Sequence, residues 1–337
     1  MKDFSSPKNL SHYPVMLNEV LKICNPASGG NFIDCTFGYG GYSNALLSFP
    51  KTKVIAFDRD YQTKKYAEKT KQNFKSRFSF HNKKFSELSK IINDKTKFDV
   101  IIFDLGLSSM QIFDLDRGFS FNSKSSIDMR MGLNSISAQE VVNSFSQSTL
   151  NEIFKFFGEE KESFKISKNI INDRKKSPIL TNFELAKIIK KSKKKNFNKK
   201  INVSTKVFQA LRIFVNKEFS ELINGLIEAT KLIKSGGKII VISFHSLEDR
   251  IVKFFFTNYS KNKSKTSRYV PELSKEKTLF ENYRNKIIVP NQREIQKNHA
   301  SRSAKLRFIT RDSSEFFYPK ELKKKFIKYL ELEGSYV

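Results

Sequence analysis

Apolar positions in the first third of the chain come in short unbroken runs, and three of these runs stop on an acid. Phe32 and Ile33 lead to Asp34, Val54 to Phe57 lead to Asp58, and Val100 to Phe103 lead to Asp104. Such runs fit strands buried on both faces. The pattern predicts strands over 31–36, 53–57, 76–81 and 98–103. Helical text lies between them, over 12–25, 43–49, 62–73 and 85–92, where Phe85, Leu88 and Ile92 share one side. Regular alternation of strand and helix predicts an α/β fold with a parallel sheet covered on both faces.

The alternation stops after the fourth run. The stretch RGFSFNSKSSIDMRMGLN, 117–134, is polar and without a period. Helices follow over 138–157, divided by a capping sequence at 146–149, and over 182–190. From Val207 onward Phe208, Leu211, Val215, Phe219, Leu222 and Leu226 fall at helical spacing. Gly236 and Gly237 break that pattern, and 238–244 reads as a fifth buried strand. The expected organisation is a sheet domain, 1–114 and 203–337, interrupted by an inserted helical substrate-binding domain, 115–202. A helix is predicted over 245–256, a long loop over 257–283 and an antiparallel edge pair from 286–289 and 306–310. A last helix starts at Pro319, with Leu322, Phe326 and Tyr329 on one stripe.

Charge adds a partner to this picture. The chain of 337 residues carries 62 Lys plus Arg against 34 Asp plus Glu, a formal +28. That field suits a polyanion, first of all a nucleic acid. A general bias toward Lys, Asn, Phe and Ile would also raise the charge, and Phe occurs 33 times. The run KKSKKKNFNKK, 190–200, is the densest basic surface and is equally readable as a solvated face. Cys24 and Cys35 stand outside any CxxC pair, so neither a disulfide framework nor a metal site is expected. No apolar run approaches eighteen residues and no signal-peptide core opens the chain, so a cytoplasmic protein without membrane contact is expected.

The strand ends hold the candidate chemistry. In FIDCTFGYGGYS, 32–43, a strand enters a glycine turn at Gly38, Gly40 and Gly41, and a helix leaves it. Glycines admit close backbone approach, and a helix start favours polar groups. The spacing is neither the GxGxxG fingerprint nor a P-loop. Asp58, ending the second strand, is placed to accept from a ribose diol. Asp104 adds a third acid above the same crevice. Three strand-end acids without a phosphate-binding loop fit S-adenosylmethionine better than NAD or ATP.

At this point the chain resembles the bacterial 16S ribosomal RNA (cytosine-N4)-methyltransferase family. The matching text is HYPVMLNEV (12–20), DCTFGYGGYS (34–43), FDRD (57–60), FDLGLSSMQ (103–111), RGFSF (117–121), DMRM (128–131), FQALRIFVNKE (208–218), ISFHSLEDRIVK (242–253) and SRSAKLR (301–307). The resemblance implies a class I S-adenosylmethionine-dependent methyltransferase, Rossmann-like, with an inserted helical domain. It implies cofactor contacts at Gly40, Gly41, Tyr42, Asp58, Phe85, Asp104 and Gln111, with Tyr42 standing where the family usually has His. It implies methylation of the exocyclic amine of a cytosine at the decoding site, with 16S ribosomal RNA within the small subunit as partner, and leaves a homodimer open.

A cytosine amine is a poor nucleophile, so it must be held in line with the sulfonium methyl at about 3 Å. Acceptors near it would hold its hydrogens and stabilise the growing charge. The candidates are Asp104, the Leu105-Gly106 backbone, Ser108 and Ser109. His245 follows the fifth strand, beside Glu248 and Asp249, as a further catalytic candidate or as a helix cap. A cysteine nucleophile serves ring carbons, so both cysteines read as packing residues. The base must leave its stack to be reached. His12, Arg117, Asp128, Arg130, Arg302, Lys305 and Arg307 are the candidate substrate contacts. Two rival readings remain: an amino-methyltransferase acting on another RNA or on DNA, and a non-catalytic RNA-binding protein that kept the fold.

Overall fold

The computed structural model describes residues 14–93, 96–108, 111–112, 114–120, 123–134, 136–193, 202–261 and 277–335. His12, Ser109 and residues 194–200 of the basic run lie outside the described residues. Six strands form one sheet: β1 Gly30–Asp34, β2 Thr52–Phe57, β3 Phe78–His81, β4 Phe98–Asp104, β5 Ile233–Ser243 and β6 Lys305–Thr310. The order is β3-β2-β1-β4-β5-β6. All neighbours are parallel except β5 and β6, which are antiparallel. This is the Rossmann-like sheet the alternation predicts. Its order reverses between β1 and β4, where ligands of open parallel sheets bind.

Both faces are covered, and period-two alternation sorts the side chains. Phe32, Val54, Val100, Ile102, Ile240 and Ile242 pack with the helices Leu17–Cys24 and Gly41–Leu47. Ile33, Ile101, Phe103, Ile239 and Val241 face the other way. That second cluster continues without a break into Val141, Leu150, Phe154, Ile170 and Leu185 of the inserted helices. The insert therefore shares the core of the sheet domain. No helix among the described residues is long and apolar enough to cross a membrane.

Several local expectations change. The capping sequence at 146–149 does divide two helices, Ala138–Ser144 and Gln147–Gly158, with Ser146 Oγ accepting the Thr149 N–H at 3.1 Å. The helix Ser163–Arg174 escaped prediction because only Ile166 and Ile170 are apolar and fully buried in a polar text. Gly236 and Gly237 do not precede the fifth strand; they lie inside it. β5 starts at Ile233, and the register against β4 shifts between Phe98 and Val100, with Gly236 at φ 77°. The predicted edge pair is reduced on one side to a single bridge, Ile288 to Leu306.

Two polar anchors tie the unpatterned stretch to the sheet domain. Arg59 donates to the carbonyls of Gly132 (3.2 Å) and Asn216 (2.8 Å) and to Asn134 Oδ1 (2.6 Å). Asn216, fully buried, accepts the Met131 N–H and donates to the Met129 carbonyl, both at 2.8 Å. These bonds act together with the burial of Ile127, Met129 and Met131, an alternation too short to stand out in the polar text.

Arg307 is a correction. On β6 its guanidinium forks onto Asp249 (2.7 and 3.1 Å) and donates to Tyr283 Oη at 2.8 Å. Its side chain is 3% exposed, so it holds the edge strand to the helix Ser246–Asn258 and is not open to RNA. Arg307→Ala would take the fork from Asp249 and leave it Lys305, 3.7 Å away, a loss of about 1.5 to 3 kcal/mol. A urea denaturation midpoint should fall accordingly. An unchanged midpoint would return Arg307 to the surface.

Candidate active site

A cleft opens at the carboxyl ends of β1, β2 and β4. Gly38, Gly41, Tyr42, Asp58, Phe85, Asp104, Ser108 and Gln111 line it together, as do Lys84, Glu218, Glu221 and Leu222. The glycine turn shapes one wall. Gly38 sits at φ 53°, and a Cβ there would meet nothing within 4 Å, so its backbone stays open to a ligand. At Gly41 a Cβ would lie 2.4 Å from Pro14 Cγ, so the glycine lets the residues before the first helix close over the turn. Gly40, at φ 81°, is the N-cap of the helix Gly41–Leu47.

Asp58 accepts from the Gly38 and Asp60 N–H groups, each at 2.8 Å. Burial outweighs these bonds and pushes its carboxyl up to about 7. Asp34 turns away from the cleft: fully buried, it accepts from Ser43 Oγ at 2.7 Å and fixes the start of the helix behind the turn. Burial raises it to about 6. Asp104 is tied through its backbone, whose N–H donates to Thr36 Oγ1 at 2.8 Å. Its Oδ1 is buried without a partner among the described residues. Burial, then the nearby Asp34 charge, push its carboxyl well above the usual carboxylate range. Tyr42 donates its hydroxyl to the Val15 carbonyl, which roofs this corner.

Phe85 stands edge-on to Phe103, with ring centroids 5.3 Å apart. Behind it a Cβ on Gly225 would lie 2.5 Å from the Phe85 ring, so that glycine lets the ring settle against the helix Glu218–Leu232.

A family model described as the MraW methylase family matches residues 9–312. The chain belongs to the MraW methylase family. It is 44% identical over 302 residues to the ribosomal RNA small subunit methyltransferase H of Ehrlichia canis (strain Jake), with 88% of this chain and 99% of that one covered. The corresponding protein of Rickettsia canadensis (strain McKiel) is 42% identical over 301 residues, with 88% and 96% covered. Among solved structures, an rRNA methylase from Streptococcus thermophilus is a distant likeness, 8% identical with a TM-score of 0.38, covering 87% of this chain and 95% of that one.

Within this MraW-family methylase the remaining predicted residues divide sharply. Gln111 lines the cleft, yet its amide is committed: Nε2 donates to Asp60 at 3.0 Å and Oε1 accepts the Ser108 N–H at 3.0 Å. Arg117 is not a free phosphate ligand. Its guanidinium pairs with buried Asp60 and donates to the Arg130 carbonyl at 2.9 Å. Asp128 and Arg130 form a fork at 2.7 and 2.9 Å, with Arg130 at the surface. Arg302 is exposed, and Lys305 is partly exposed with Nζ 3.7 Å from Asp249.

His245 takes the role of cap. It is the N-cap of the helix Ser246–Asn258, its Nδ1 accepting the Glu248 N–H at 3.3 Å while Glu248 accepts the Phe244 N–H at 2.9 Å. Glu218, His245 and Glu248 bring ligand atoms within 4.8 Å of one another. The capping bond occupies His245 Nδ1, and Arg212 takes both oxygens of Glu218 at 2.8 Å. That arrangement offers a cation few free lone pairs. Sequence reasoning missed Arg59, Glu218 and Glu221. The first two sit inside FDRD and FQALRIFVNKE, so the signal was in hand without a geometry to read it by.

The raised Asp58 carboxyl fixes a pH signature. A folded value near 7 above an unfolded value near 4 means the empty protein loses stability as pH rises between the two. Asp58→Asn removes that loss. Its melting temperature should gain on wild type from pH 4 to pH 7, with a constant gap above. Parallel melting curves across that window would show that Asp58 is not held protonated.

Proposed function

We propose that this chain transfers the methyl group of S-adenosylmethionine to the exocyclic N4 amine of a cytosine in 16S ribosomal RNA, at the decoding site of the small subunit. The observation that carries this reading is the convergence of an open glycine backbone, Asp58 and an unpartnered Asp104 oxygen on one cleft of an MraW-family methylase. The names of its relatives, ribosomal RNA small subunit methyltransferase H, favour ribosomal RNA as substrate.

The cleft suits the cofactor. Asp58 would hold the ribose hydroxyls, Phe85 the adenine face, and the Gly38 turn the methionine end. When bound, the cofactor supplies an electrophilic methyl on a sulfonium. A cation in the cleft favours the ionised form of Asp104 against the burial that raises its carboxyl. Asp104 Oδ1 then accepts an amine hydrogen and orients the nitrogen. A carboxylate with a raised pKa is also the stronger base for the proton that the nitrogen sheds after methyl transfer. The Leu105-Gly106 backbone and Ser108 lie beside it as further acceptors, with Ser109 the next residue along. Lys and Arg at the rim, Arg130, Arg302 and Lys305 among them, would position the RNA through its phosphates.

Two experiments test the reading. RNA digested after reaction with labelled cofactor should yield N4-methylcytidine by mass spectrometry. Asp104→Asn should slow single turnover by about 100-fold or more, the scale of a lost proton acceptor, while S-adenosylhomocysteine still binds. Label on another base would overturn the substrate, and full turnover in D104N would overturn the role. A test of the basic run leaves Lys193 in place, because its buried side chain pairs with Glu160. Glutamine at Lys194, Lys195, Lys199 and Lys200 should weaken RNA binding at low salt and flatten its salt dependence, by up to about 0.7 in log–log slope per lost single-strand phosphate contact. Equal slopes would leave the run a solvated face.

A further inference from the structure

The segment after residue 312 lies outside the family match, yet it reaches the wall of the cleft. The helix Glu218–Leu232 supplies Glu218, Glu221 and Leu222 to that wall and backs Phe85 through Gly225. It has no cap of its own. Its N-cap, Lys217, is left-handed at φ 50° and gives no side-chain bond. The first-turn N–H groups would be orphans, and Phe219 is 1% exposed, so water does not reach it.

The missing cap comes from the far end of the chain. Glu333 Oε1 accepts the Phe219 N–H at 3.0 Å, and Oε2 accepts the Ser220 N–H at 2.8 Å and also the Ser220 hydroxyl. Glu333 itself is 1% exposed. The helices that carry it, Lys320–Lys325 and Ile327–Gly334, are fastened by aromatic contacts on three sides. Phe326 stands edge-on to Phe254 at 5.7 Å, and Tyr329 lies 5.1 Å from Phe219 and 5.9 Å from Phe157 of the insert.

We propose that residues 320–334 are an intramolecular clamp, in which Glu333 acts as a positioning residue that caps the wall helix from outside and so sets the cofactor pocket at Phe85, Glu221 and Leu222. Burial pushes the Glu333 carboxyl up to about 8, so it holds the helix start through its hydrogen bonds to Phe219 and Ser220 more than through its charge. The clamp rests on the cofactor reading above for its effect on binding, and on geometry alone for its effect on the helix.

The full-length chain serves for the test, with S-adenosylhomocysteine as probe by calorimetry well below the melting temperature. Glu333→Ala should weaken binding about tenfold, within the range for substitutions that touch neither ligand. Glu333→Gln, which keeps one acceptor, should recover part of it. Ile170→Ala, a fully buried site in the insert, serves as the stability control and should lower the melting temperature without moving the affinity. Equal affinities in wild type and E333A, or equal weakening in E333A and I170A, would overturn the clamp. Hydrogen exchange without ligand separates the two proposals: E333A should speed exchange over 218–225 and also over 85–91. Faster exchange confined to 219 and 220 would reduce Glu333 to a local cap. A wild type that exchanges as expected but binds no S-adenosylhomocysteine would sink the cofactor reading and leave the clamp standing.

Discussion

Three carboxylates end adjacent parallel strands and share one poorly hydrated rim. A parallel sheet covered on both faces has polar side chains at its strand ends and almost nowhere else. Asp34, Asp58 and Asp104 occupy those ends, and burial makes each hold its proton more firmly than a free carboxyl. The rest of the site follows from how each is answered. Asp34 is answered inside the protein, by Ser43 and the Thr36 backbone. Asp58 is half-answered, by two backbone N–H groups. Asp104 keeps one oxygen without a partner among the described residues. In the strand order β2-β1-β4 the fully answered Asp34 stands between the two acids that line the cleft.

The same strand ends also locate the insert. Asp58, Arg59 and Asp60 are consecutive, and each faces a different task. Asp58 meets the glycine turn, Arg59 grips the Gly132 and Asn216 carbonyls, and Asp60 takes Arg117 and Gln111. One short turn thus carries both Asp58 and the anchors of the insert. The wall helix completes the enclosure from the other side, with its cap borrowed from Glu333.

The cleft was largely legible in the sequence because acids at the ends of apolar runs are local features. Asp58 and Asp104 could be placed from the runs before them, and the glycine turn from its own spacing. The basic residues were less legible. Charge alone does not distinguish an arginine that meets phosphate from one that meets an acid across the fold. Arg307 and Arg117 belong to the second kind, because Asp249 and Asp60 are distant in sequence and adjacent in space. His245 read as catalyst or cap, and its bond to the Glu248 N–H makes it a cap.

By itself the sequence determined the strands, their parallel pairing, the interruption after β4 and the acids on the rim. These depend on periodicities of two and 3.6 and on residues within one run, so no distant partner is needed to read them. Only the tertiary structure decided which polar groups satisfy one another. The helix Ser163–Arg174, polar in text, is held by the shared core around Ile166 and Ile170. The stretch 123–134 is held by Arg59 and Asn216 and by the buried side chains of Met131, Ile127 and Met129, the last two with core partners far along the chain. The cap on Phe219 and Ser220 comes from more than a hundred residues away. A buried hydrogen bond is specified by where two groups meet, and no local pattern carries that information.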